Sequence, residues 1–181
     1  MIKYLLHLYV SRLERRYDYD ATYLHELAEI SPAAFRRFAA AQLALRWRGQ
    51  APRDALQAAA IGGALVEDCG PCVQIATDQA VEAGMPAATI KALLGGEKTD
   101  PDAQLAFDYA RALLNSGENL DALREQAEAR WGRKGLIAVS FMAMAARNFP
   151  VLKRALGHAK ACQKVKVAGA EVAVAQSLKA A

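Results

Sequence analysis

Apolar residues recur three and four positions apart along most of this chain, the spacing that lays a stripe along one side of a helix. The alternation expected of a half-buried strand hardly occurs, and Ala, Leu, Glu, Arg and Gln dominate, so the pattern predicts an all-α fold. A first helix is predicted over about Ile2 to Arg16 and a second over about Ala21 to Ile30. Ser31 offers an N-cap oxygen and Pro32 a first-turn residue without an N–H, opening a third helix that Gly49 stops, with Ala34, Phe38, Ala41 and Leu45 on its packed face. Pro52 opens a fourth helix carrying Leu56, Ala59, Ala60 and Gly63, and Gly70-Pro71 interrupts the run just after it.

Further helices are predicted from about Cys72 to Ala83, from Pro86 to Gly95-Gly96, and from the Asp100-Pro101 cap through Leu114. Asn119 caps another, with Leu120, Leu123, Ala127 and Trp131 on one side. The last long segment, Lys134 to about Gly157, contains Pro150, which should kink or interrupt it. Its apolar stretch from Gly135 to Ala146 is too short for a bilayer and reads as a buried core helix. In the tail, Val165 to Val172 alternates enough for a short hairpin, while its alanines also suit a helix.

With 181 residues, 54% hydrophobic and 23% charged, the chain can bury the core of one domain. The formal charge of +4 is spread along the sequence, which describes a solvated surface and not a nucleic-acid footprint. The short apolar run at Met1 to Leu8 lacks a cleavage site and meets Arg12, Glu14, Arg15 and Arg16 at once, so neither a signal peptide nor a membrane span is expected. Three cysteines, two of them in one C-x-x-C, suit a reducing compartment, and the cytoplasm is the expected location. Nucleotide-binding loops and fixed-period repeats are absent from the sequence.

The segment that carries chemistry is Glu67-Asp68-Cys69-Gly70-Pro71-Cys72. Two thiols three apart at a helix start share a face within bridging distance, and the backbone N–H groups there favour thiolate over thiol. Glu67 and Asp68 oppose that effect by like charge. Three other readings stay open. The pair could simply be packed. It could bind zinc, although Cys162, His7, His25 and His158 stand at no ligand spacing. The letters also match the thioredoxin motif, but that fold places it after a strand and no strand is predicted before Cys69.

Together, Cys69-x-x-Cys72, the helix ending at Gly84, the Pro86 helix with Gly95-Gly96, and the Asp100-Pro101 segment with Phe107, Ala110 and Leu113 resemble the alkylhydroperoxidase D-like core of the carboxymuconolactone decarboxylase superfamily. The resemblance covers roughly Pro52 to Gly157. It implies an N-terminal helical extension (1–50), a helical-bundle core (51–160), a C-terminal tail (161–181), and a homo-oligomer, often a trimer or hexamer. For function it implies a dithiol–disulfide oxidoreductase or peroxide-reducing antioxidant protein, without metal or organic cofactor, that takes a peroxide or disulfide substrate and a thiol reductant. By the same resemblance Cys72 attacks and Cys69 resolves. The family's relay has Glu twelve positions before the first cysteine and His four after the second. Here those positions hold Gln57 and Ala76, and neither an amide nor a methyl passes protons, so Glu67 or Asp78 is the candidate substitute. A non-enzymatic oligomeric module, in which the pair senses redox state or packs, is the alternative reading. His25 and His158 read as ordinary surface or core histidines, Trp47 and Trp131 as buried anchors, Phe141, Met142 and Met144 as core or subunit packing, and Cys162 as a bystander.

Overall fold

The computed structural model describes residues 1–158 and 164–175; Cys162 lies outside them. Helices account for most of it: α1 (Ile2–Tyr17), α2 (Thr22–Ile30), α3 (Pro32–Ala44), α4 (Arg53–Leu65), α5 (Gly70–Glu82), α6 (Ala87–Gly95), α7 (Pro101–Asn115) and α8 (Leu120–Ala155). Where the tail's pattern allows hairpin or helix, the chain forms an antiparallel hairpin, β1 (Lys164–Val167) and β2 (Ala170–Ala173), with Val165 opposite Val172. Ala168 and Gly169 both have positive φ (48° and 81°), as a two-residue hairpin turn requires.

Several helix ends follow directly from side-chain chemistry. The Ser31 hydroxyl accepts from the Ala34 N–H, and the Asp100 carboxylate accepts from the N–H groups of Asp102 and Ala103, each with proline in the first turn. Asn119 stands at the N-cap of α8 but makes no side-chain cap bond. The third helix stops at Ala44, before Gly49, and its buried side is set by Phe35 and Gln42, while Ala41 is exposed. The inward face is thus rotated from the expected Ala34–Ala41 line toward Phe35, Phe38, Ala39 and Gln42.

The two helices expected after Asn119 follow one another along α8 with a break between them. The backbone leaves helical dihedrals at Gly132 (φ 67°, ψ 173°), a region open essentially to glycine, and stays helical through Pro150. The break between the two helices thus falls where the sequence places it, whereas the interruption expected at Pro150 does not occur. Between Gly135 and Ala146, residues Ala138, Val139 and Ala143 are buried but Ile137 and Met144 are exposed, so one side of this segment, and not all of it, forms core. By length and hydropathy α8 could cross a bilayer; here that inner side packs into the bundle.

The centre is α4, whose residues Ala55 to Leu65 are almost all buried. A side chain at Gly62 would meet the Phe107 carbonyl at 2.9 Å, and one at Gly63 the Ala143 carbonyl at 2.6 Å. Two adjacent glycines thus let α7 and α8 approach α4 backbone to backbone. Two hydrophobic clusters result: a main one from α4 to α8 and the hairpin, and a second joining α1, α2 and α3 to Ile75 of α5, to Phe149 and Leu152 of α8, and to Leu156 just after it. The three N-terminal helices form a layer across one side of the bundle.

Candidate functional site

The cysteine turn is shaped by the residues just before it. After α4, Asp68 adopts a left-handed conformation (φ 46°) and reverses the chain, leaving Cys69 extended as the N-cap of α5. The Cys69 carbonyl then accepts from the N–H groups of Cys72 (3.0 Å) and Val73 (2.9 Å), and Pro71 occupies a first-turn position where no N–H is needed. Cys69 and Cys72 are joined as a disulfide across this turn, with Cα atoms 5.2 Å apart. Both residues are buried, 1% and 3% exposed.

Glu67 does not reach the sulfurs as a base. Its buried carboxylate accepts from Arg147 and Arg154 of α8, Arg154 also donates to the Glu67 carbonyl, and Arg147 donates to the Leu114 carbonyl. Glu67 is a clamp that fastens the cysteine turn to α8. Asp78 lies on the opposite side of α5, lining a surface hollow of about 660 Å³ with Arg16, Tyr17 and the hairpin. There it accepts from Gln74, whose amide also pairs with both the N–H and the carbonyl of Lys166. Burial holds the Asp78 carboxyl above its ordinary range, with the Gln74 bond opposing.

Cys72 faces a cavity of about 210 Å³ between the N-terminal layer and the bundle. Its walls include Phe35, Phe38 and Gln42 from α3, Ala76 and Gln79 from α5, and Phe149 from α8. The lining runs from buried Cys72 and Tyr23 to exposed Tyr9, Leu43 and Arg46. Ala76, the position of the family's relay histidine, is in this wall, whereas Gln57, the position of its glutamate, is not.

The polar neighbour of the sulfur is a tyrosine. The Tyr19 hydroxyl lies 3.8 Å from Cys72 Sγ and donates to the Tyr23 hydroxyl at 3.2 Å. Lys153, fully buried, sets its Nζ 4.7 Å from the Tyr19 ring centre and 5.4 Å from that of Tyr23, and donates to the Asp20 carbonyl. Burial pushes the Tyr19 phenol up to about 12 and raises Tyr23 as well, so both remain protonated donors near neutrality.

No protein-family model, curated protein or solved structure matches this chain.

Sequence reasoning finds the cysteines but not Tyr19, Tyr23 or Lys153. The tyrosines' four-residue spacing was a usable sign of a shared helix-entry face; Lys153 gave none, because its partners lie about 130 residues away. The histidines stand apart from the cavity lining, His25 paired with Glu14 and His158 with Glu26. Trp131 is buried and donates to Asp102, whereas Trp47, expected to be buried, is 44% exposed. Among the described residues no three His, Cys, Asp or Glu come together as a metal site.

Proposed function

We propose that this chain is a cytoplasmic dithiol–disulfide oxidoreductase of the alkylhydroperoxidase D-like kind, reducing a peroxide with Cys69 and Cys72. The observation that carries this reading is the disulfide across the first turn of α5 with Cys72 facing a cavity. The Cys72 thiolate attacks the distal peroxide oxygen, the O–O bond breaks, and an alcohol leaves with a proton, giving a sulfenic acid. The Cys69 thiolate then attacks the Cys72 sulfur, hydroxide leaves as water, and the disulfide forms. A thiol reductant returns two electrons by exchange. Tyr19 supplies what Gln57 and Ala76 lack: its O–H, which donates to Tyr23 beside the disulfide, can turn toward the sulfur and stabilise the thiolate.

The burial of both sulfurs favours a second reading, a non-catalytic oligomeric module in which the pair senses redox state or packs. One experiment separates them. The reduced protein is treated with tert-butyl hydroperoxide, mapped by mass spectrometry, and assayed for turnover with dithiothreitol. The oxidoreductase reading expects rapid Cys69–Cys72 disulfide, sustained turnover, and loss of both in Cys72→Ser. Thiols that persist in excess peroxide would reject it in favour of the module.

A further inference from the structure

We propose that the cavity beside Cys72 is a binding site for a small apolar molecule carrying one carboxamide, and that Gln42 is the residue that recognises it. The inward side of α3 is apolar at Phe35, Phe38 and Ala39, and at the next position of that stripe stands Gln42. Its residue is 6% exposed, and neither its Nε2 nor its Oε1 pairs with any group of the protein. A buried amide without partners destabilises a fold, so packing alone would favour leucine here. Because Gln42 lines the cavity, the complementary group is one that enters it.

The character of that group follows from what is missing. Gln42 presents a donor and an acceptor side by side in one plane, and another carboxamide returns an acceptor and a donor in the same plane, satisfying both. A carboxylate offers acceptors only, leaves Oε1 unpaired, and must shed its hydration among aromatic walls. Its natural place is the exposed mouth, where Arg46 stands. The remaining walls, including Leu13, Phe38, Met142 and Phe149, suit a short hydrocarbon body. A cavity of about 210 Å³ holds roughly seven water-sized groups, taking about 30 Å³ for each, and opens at its exposed edge.

The test uses the oxidised protein without turnover, so it is independent of whether the cysteines reduce a peroxide. Hexanamide, hexan-1-ol and hexanoate, of nearly equal size, are titrated calorimetrically. Hexanamide should bind at least about tenfold tighter than either of the others, the discrimination expected from a pair of otherwise unmade hydrogen bonds. In Q42L the hexanamide affinity should fall about tenfold while that for hexan-1-ol is unchanged, which also shows the cavity intact. Equal affinities for all three, or no binding by any, would mean that water suffices for Gln42 and would overturn the proposal. An unchanged hexanamide affinity in folded Q42L would do the same. Should Q42L not fold, the ranking of the three probes on the natural protein decides alone.

Discussion

Tyr19 has a single hydroxyl hydrogen, and where it points divides the oxidised from the reduced site. In the disulfide state it donates to Tyr23. Once Cys72 carries a negative charge, a donor 3.8 Å away gains most by turning to the sulfur, and hydrogen bonds to charged groups contribute about 1.5–3 kcal/mol. Tyr19→Phe keeps the ring and removes that donor. We expect Cys72 in the reduced variant to be alkylated about tenfold more slowly at neutral pH, with its rate–pH profile displaced to higher pH. A profile that superimposes on the natural protein's would remove Tyr19 from the mechanism. At this scale the two cysteines were legible because their spacing alone places them on one turn. Glu67 was misleading: its nearness in sequence hid two arginines from α8 that occupy its carboxylate. Gln42 had a local signal, a polar residue inside an apolar stripe, that became visible only when the stripe was read from Phe35 and not from Ala34.

At the scale of elements, the approach of α8 to α4 depends on a residue without a side chain. Glycine within a helix ordinarily costs about 1 kcal/mol relative to alanine, so Gly63→Ala would be stabilising were the site open. It is not open, since a methyl there would meet the Ala143 carbonyl at 2.6 Å and the Ala143 Cα at 3.1 Å, both backbone. Overpacking of this kind costs about 1–3 kcal/mol, and because α8 must move to relieve it we expect a net loss of stability of up to about 2 kcal/mol in urea denaturation. A stabilised Gly63→Ala would show that α8 yields without penalty. Most helix boundaries were legible, because caps such as Ser31 and Asp100 act within three residues. So was the break in α8, which falls between the helix expected to carry Trp131 and the one expected from Lys134; the helical continuity through Pro150 was not. Proline removes a hydrogen bond wherever it stands, which made Pro150 the obvious place for a further interruption, yet Gly132, with a φ of 67°, is where α8 leaves helical geometry.

Across the whole molecule, α1 has two apolar sides. Val10 and Leu13 face the second cluster, while Tyr4, Leu5 and Leu8 are exposed on the other. We propose that a second copy covers that outer stripe, and multi-angle light scattering at micromolar concentration should report an oligomer; a monomer would refute it. The helical character of the molecule was legible from periodicity, but how the N-terminal helices lie over the rest was not, since it depends on which apolar stripes meet and periodicity gives only where each stripe lies. That layer also works as a sieve. It lies over the Cys72 sulfur, and the exposed part of the cavity lining is at Tyr9, Leu43 and Arg46, so in the proposed cycle whatever exchanges electrons with the pair must be slender enough to enter there. On that proposal a folded protein presenting a thiol on a flat surface would be kept out, and a free low-molecular-weight thiol, or one borne on a long flexible arm, would be admitted.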